Sequence, residues 1–305
     1  MSSPAQQSDV RASAPMVSVV IATYHWSSVL ALAIASVLDQ TFTDFEVIVV
    51  GDGCSDDTED VVANVADPRV QWVNLSRHHG HQWAANNEGI RHARGRFVAY
   101  LGHDDLWLPH HLGACVEALE GGADLAHTLC MMVHGDGVQR EWAPPEPGFY
   151  RPGSGLPPSC VVHRRALIES VGPWRDPKGL ELHPDRDLWR RMHAAGARFA
   201  MVPRLGVVKF PAVWRRDVYR DRPSHEQAHW LERSRREPAF EAIELARLLA
   251  MGDAPRVLSA QPYAEVRRDF TRETWRRIRA RLRSGSLRGL LGRNDMDAVR
   301  RFKGL

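Results

Sequence analysis

The 305-residue chain predicts an α/β fold with a mostly parallel sheet flanked by helices. Short β-branched apolar runs recur at 17–22, 45–50, 70–73 and 96–101, helix-patterned segments separate them, and polar residues gather just after each run. Strands that alternate with helices need right-handed crossovers, which makes neighbouring strands parallel. Ligands of such sheets bind beyond the carboxyl ends of the strands, so the polar clusters mark the candidate site.

VSVVIA at 17–22 reads as a buried strand, and Ser27-Ser28 then offers an N-cap to a helix carrying Leu30, Ile34, Val37 and Leu38 on one face. FEVIVV at 45–50 is a second buried strand, followed by the turn Gly51-Asp52-Gly53 and a helix over 57–65 capped by Ser55 or Asp57. A third strand at 70–73, a helix at 83–92 and a fourth strand at 96–101 continue the alternation. A helix at 112–119 and a strand at 123–133 precede WAPPEPGFYRPGSGLPPS, whose prolines exclude helix. This connection is either a loop that orders over a ligand or a passive surface loop. A strand at 159–163 and helices at 165–170 and 185–194 follow, the last with Leu188 and Met192 one turn apart. Beyond 211 the pattern is helical and rich in arginine. The polar stretch 1–14 reads as a disordered leader, 15–210 as an α/β domain with halves at 15–105 and 106–210, and 211–305 as a helical extension.

Forty Lys and Arg stand against thirty-seven Asp and Glu, too close to balance to make nucleic acid the partner. Cys54, Cys115, Cys130 and Cys160 form no CxxC pair, which argues against zinc and disulfides and fits a reducing cytosol. No apolar run approaches the roughly 20 residues of a membrane span. The expected location is cytoplasmic, or peripheral at the inner membrane face.

LGHDDLW, 101–107, sets Asp104 and Asp105 side by side where the fourth strand ends. Adjacent like charges need a cation or strong donors to neutralise them. Mg²⁺ or Mn²⁺ bridging a carboxylate to a diphosphate is one answer, with His103 as a further ligand or phosphate contact; capping of the next helix is the other. Asp52, after the second strand, suits a ribose or base contact, or simply forms the turn VGDGCSDD. Neither GxGxxG nor GxxxxGK[ST] occurs, so a hydride-transfer cofactor and a P-loop find no support. In HPDRDLWRRM, Asp185 is either an N-cap or a general base.

Four segments in this order, PMVSVVIATYHWSSVLALAIASVLDQTFTDFEVIVVGDGCSDDT, HHGHQWAANNEGIRHARGRFVAYLGHDDLWLPHHL, PSCVVHRRALIESVGPW and PDRDLWRRM, together resemble the inverting family-2 glycosyltransferases of the Rossmann-like GT-A fold. The layout is similar to that of bacterial spore-coat glycosyltransferases and runs over 15–202. The resemblance implies a catalytic domain over 15–210, with a nucleotide-binding half and an acceptor half. It implies that Thr23 and Tyr24 hold the nucleobase and that Asp52 contacts uracil or ribose. It makes Asp104 and Asp105 the DXD-type motif, with Asp105 binding Mn²⁺ or Mg²⁺ and Asp104 the ribose or donor sugar. Asp185 falls on the base that deprotonates the acceptor hydroxyl. Asn86 stands where many relatives carry an arginine for the nucleotide, and Arg77, His81 or Gln82 could substitute for it. Pro184 replaces a glutamate, and His103 an aspartate or serine.

The implied donor is a nucleotide sugar, UDP-linked by preference, and the implied acceptor a carbohydrate, a lipid-linked saccharide or a small molecule. The implied setting is cell-surface polysaccharide, glycolipid or glycoconjugate synthesis. A non-catalytic nucleotide-sugar or glycan-binding protein on the same fold is the alternative. A sugar nucleotidyltransferase would need a glycine-rich phosphate loop and a lysine after Ala22, and neither is there. Residues 263–285 put Tyr263, Val266, Phe270, Ile278 and Leu282 on a stripe within an arginine-rich helix pattern. That helix either docks on the catalytic domain or lies on an anionic membrane near a lipid-linked acceptor. Trp214, Arg215 and Arg216 either reach the diphosphate or form an ordinary loop.

Overall fold

The computed structural model describes residues 14–133, 139–142, 150, 155–250 and 303–304. Val17–Thr23 (β1), Phe45–Gly51 (β2), Val70–Asn74 (β3) and Phe97–Gly102 (β4) are parallel neighbours in the order β3-β2-β1-β4. Ser27–Leu38 (α1), Thr58–Ala63 (α2) and Gln82–His92 (α3) connect them. Strands β1, β2 and β4 are largely apolar because both of their faces are covered, while the edge strand β3 is half-buried. Val17, Val19, Ile21, Val47 and Val49 pack in one layer with Leu30, Ile34 and Val37 of α1, while Val20, Ile48 and Val50 pack in the other with Ala85 of α3. Each such burial contributes roughly 1.5–3 kcal/mol, ample to hold β-branched runs in the extended form. In the pairing register Thr23 lies opposite Gly51, Gly51 opposite Asn74, and Ala22 opposite Gly102, so the carboxyl ends of all four strands form one rim.

Leu106–Trp107 (β5), His111–Glu120 (α4), Leu125–Val133 (β6) and Gln139–Trp142 (β7) come next. Val161–Arg164 (β8), Ala166–Val171 (α5), Pro184–Ala194 (α6) and Phe199–Lys209 (β9) complete the α/β part. The sheet continues as β4-β8-β6-β9-β5, with β7 on β6. Strand β8 is antiparallel to both β4 and β6, so parallel pairing yields to a mixed sheet beyond β4.

Two strands depart from expectation. Residues 106–107, expected at a helix entry, pair instead with Val207 and Val208 of β9. Strand β9 itself was not foreseen: Pro203 and Gly206 interrupt its apolar pattern, and its pairing with β6 shifts register on either side of Leu129. The expected cap at Ser27 is also replaced. Its hydroxyl donates to Asp57 Oδ1 (2.7 Å), and the helix instead starts after His25 and Trp26, both left-handed at φ 53° and 61°.

Val218–Asp221 (α7), His225–Arg236 (α8) and Phe240–Ala250 (α9) follow. Trp230, Leu231 and Phe240 share a third core cluster with Leu106, Val208 and Phe210, and Arg235 bridges to Asp39 at 2.6 Å. The leader 1–14, apart from Ala14, and the stripe 263–285 lie outside the described residues, as does most of the proline-rich connection. No described helix is long and apolar enough to cross a membrane.

Candidate active site

At the β1–β2–β3 end of the rim, Asp52 organises the loop that follows β3. Its carboxylate accepts from the backbone N–H of His79 (2.9 Å) and Gly80 (2.9 Å), and it meets the ring Nδ1 of His78 (3.0 Å) and of His79 (2.9 Å). Gly53 has φ 73°, and a Cβ there would lie 2.6 Å from the Arg77–His78 peptide, so the GDG turn must be glycine for the loop to seat this closely. Tyr24 stacks between His25 (4.2 Å) and His78 (3.7 Å), a flat aromatic stair beside Asp52. A direct base or ribose contact by Asp52 would have to displace one of its present donors.

The left-handed pair His25-Trp26 sits beside this stair. Non-glycine residues in that region store strain that surrounding contacts must hold. Thr23 Oγ1 donates to the His25 carbonyl (3.2 Å), and the buried Trp26 indole donates to the Pro223 carbonyl (3.2 Å). His103 is clamped by hydroxyls: Nδ1 lies 2.8 Å from Thr23 Oγ1 and Nε2 lies 3.2 Å from the Tyr219 hydroxyl. Burial lowers its pKa against the pull of Asp104 and Asp105, so the ring is a neutral brace with both nitrogens engaged.

The two acids after β4 differ completely. Asp105 is 0% exposed; Oδ2 accepts from Lys209 Nζ (2.6 Å) and the Ser159 hydroxyl (2.5 Å), and Oδ1 from the Phe210 N–H (3.0 Å). Asp104 is half-buried, and among the described residues nothing hydrogen-bonds to its carboxylate. Burial first, then the Asp105 charge, raises its pKa. The expectation that Asp105 ligates the metal does not fit the carboxylate as it stands: Lys209, Ser159 and the Phe210 N–H take three of its roughly four acceptor positions, and a metal would have to displace the ammonium. Asp104 does fit: Mg²⁺ and Mn²⁺ need only one or two protein carboxylates when phosphate oxygens supply other ligands. Among the described residues no group of three or more His, Cys, Asp or Glu could hold a metal unaided.

At the other side of the rim, α6 opens with Pro184, and the same division recurs. Asp187 is 1% exposed and gripped by Arg191 (2.9 Å), Arg175 (3.5 Å) and Arg190 (3.6 Å). Asp185 has a buried Oδ1 with no hydrogen-bond partner, and the His183 Nδ1 lies 3.6 Å from it. The His183 and His81 rings are 5.7 Å apart, which joins the start of α6 to the start of α3. Burial lowers the His183 pKa more than Asp185 raises it.

Thr23 reaches His103, Tyr24 and Asp52 reach the loop at His78–Gly80, and His81 reaches His183 beside Asp185, while Asp104 joins this network as the sequence neighbour of His103. Asn86 is 2% exposed in α3, with Nδ2 unpaired. Arg215 is bound to Glu226 (2.7 Å) and the Val133 carbonyl (2.9 Å), and so serves the fold. The sequence reading passed over Ser159, Lys209 and Tyr219. A lone lysine inside the apolar run VVKF was the available signal for Lys209.

Residues 18–165 match the family model for Glycosyl transferase family 2. The succinoglycan biosynthesis protein ExoO of Rhizobium meliloti is 38% identical over 124 residues, covering 40% of this chain and 35% of that protein. The UDP-Glc:alpha-D-GlcNAc-diphosphoundecaprenol beta-1,3-glucosyltransferase WfgD of Escherichia coli is 32% identical over 97 residues, covering 32% of this chain and 38% of that protein. The chain spans little more than a third of the length of these curated relatives. The crystal structure of S. aureus TarS 1-349 in complex with UDP-GlcNAc superposes with a TM-score of 0.54 at 19% identity, over 64% of this chain and 58% of that one. That likeness establishes the α/β GT-A fold.

Proposed function

From the Glycosyl transferase family 2 domain over residues 18–165 we infer that the protein moves a sugar from a nucleotide sugar, UDP-linked, to an acceptor hydroxyl with inversion at the anomeric carbon. One observation carries this reading: beside acids saturated with donors, Asp185 keeps a buried Oδ1 without a hydrogen-bond partner, and the half-buried Asp104 carboxylate accepts no hydrogen bond among the described residues. Buried polar atoms are nearly always paired, so an unpaired carboxylate oxygen marks a place for a substrate group.

Tyr24 offers a face for the base, and the loop shaped by Asp52 offers an edge for the ribose. Asp104 is the carboxylate that would hold Mg²⁺ or Mn²⁺ together with the donor's phosphate oxygens. Such a cation, when bound, offsets the charge that grows on the departing diphosphate. Asp185 Oδ1 accepts the proton of the acceptor hydroxyl as its oxygen bonds to the anomeric carbon. The bond from that carbon to the phosphate oxygen breaks in the same step, releasing UDP on the opposite face. What WfgD's name says of its acceptor, a diphosphoundecaprenol-linked sugar, supports a lipid-linked acceptor and peripheral work at the membrane.

The test is a turnover assay with UDP-glucose and UDP-N-acetylglucosamine, with and without Mn²⁺, on a polyprenyl-diphosphate-linked sugar. Metal-stimulated release of UDP coupled to extension of the acceptor is expected. Absence of UDP binding to the folded protein would overturn the reading.

A further inference from the structure

Of the 40 basic side chains, three are lysines: Lys178, Lys209 and Lys303. Elsewhere the chain uses arginine, even in its buried pairs at Arg191 and Arg233. Lys209 ends β9 at the rim, 2.6 Å from the sealed acid Asp105, with 23% of its side chain exposed. Among the described residues Asp105 is the one hydrogen-bond partner of its ammonium. An ammonium carries three donors, so two point away from Asp105.

A buried ion pair adds little to stability compared with an apolar pair of the same shape. Stability alone therefore does not account for an ion pair at this position. Electrostatics adds a reason. Two adjacent carboxylates would repel a diphosphate; Lys303 acts on Asp104 from a distance, and Lys209, hydrogen-bonded to Asp105, cancels the other charge at the point where the diphosphate is expected. Burial alone would lower the lysine's pKa, but Asp105 and then Asp104 hold it above the usual range, so the group stays charged. A compact, fully charged point donor suits a phosphate oxygen.

We propose that Lys209 is a donor-site residue whose ammonium, held in place by Asp105, contacts the diphosphate of the bound nucleotide. The proposal rests on the nucleotide-sugar reading above. Lys209 is then a second source of positive charge, independent of the metal, and residual UDP affinity persists when the metal is removed.

The experiment compares UDP and uridine binding by calorimetry, with Mn²⁺ and with chelator, in wild type, Lys209→Met and the double variant Lys209→Met/Asp105→Asn. The double variant removes both charges and so relieves the stranded carboxylate that the single variant leaves behind. UDP affinity at least tenfold below wild type in the double variant, with uridine affinity unchanged, is the expected result. Recovery of wild-type UDP affinity in the double variant would reduce Lys209 to a structural partner of Asp105 and overturn the proposal. Failure of wild type to bind UDP at all would instead sink the nucleotide-sugar reading. Should the variants not fold, amine acetylation of the wild-type protein read by mass spectrometry still decides. UDP is expected to protect Lys209 severalfold while the exposed Lys178 reacts equally with and without it; equal labelling of Lys209 in both conditions refutes the contact.

Discussion

The end of β4 and the start of α6 each carry two acids, and in each one acid is saturated while the other is open. At β4 Asp105 is buried under Lys209, Ser159 and the Phe210 amide, and Asp104 beside it accepts no hydrogen bond among the described residues. At α6 Asp187 is held by three arginines, and Asp185 keeps a buried oxygen without a partner. The saturated acid fixes the backbone, and the open one is presented by it. Neighbouring residues of the same type therefore do opposite work, and substituting them should give opposite results.

The largest contrast is expected in turnover. Asp185→Asn should lower kcat by about 10²–10⁴-fold while UDP affinity by calorimetry stays within twofold, because the amide cannot take the acceptor's proton. Weakened UDP binding in that variant would place Asp185 on the donor side instead. The next contrast is in stability. Asp105→Asn and Asp187→Asn each strand one or more partly buried cations, and each should reduce unfolding free energy by about 3 kcal/mol in urea titrations. Wild-type stability in both would erase the distinction between saturated and open acids.

Asp104→Asn should act the other way. Mn²⁺-dependent UDP affinity should fall about tenfold, or roughly 1.4 kcal/mol, while the protein gains about 0.5–1 kcal/mol of stability at pH 7. The sign follows from its raised pKa. An acid that is harder to ionise in the folded state than in the unfolded one destabilises the fold wherever both are charged, and acidification toward that raised pKa relieves the penalty. The gain should therefore shrink as pH falls and vanish once the wild-type carboxyl is protonated. A variant less stable than wild type at pH 7 would show that Asp104 has a structural partner.

Much of the scaffold was legible in the sequence, and for one reason. The strands at 17–22, 45–50 and 70–73 are short, mostly apolar and β-branched runs, and each was placed to within a residue at its carboxyl end. Helix α6 was equally clear from the spacing of Leu188 and Met192. Strand β9 was hidden because Pro203 and Gly206 break its pattern while a register shift absorbs them. Strand β5 was hidden because two residues carry no period. The site acids were visible as residue types at strand and helix ends. Their division was invisible, because the partner that closes Asp105 lies 104 residues away in sequence. Local pattern reports which face is buried; it does not report which distant side chain arrives there.

His103 and Trp26 reach past the residues matched by the family model to the short helix α7 and the turn after it, through the Tyr219 hydroxyl and the Pro223 carbonyl. A chain shortened to residue 210 would keep every described strand yet lose the groups that hold Trp26 and His103. The two left-handed residues ahead of α1 would then be free to relax. Helix α7 and the turn after it therefore brace the rim proposed to bind the nucleotide, and a fragment meant to test that proposal has to include them.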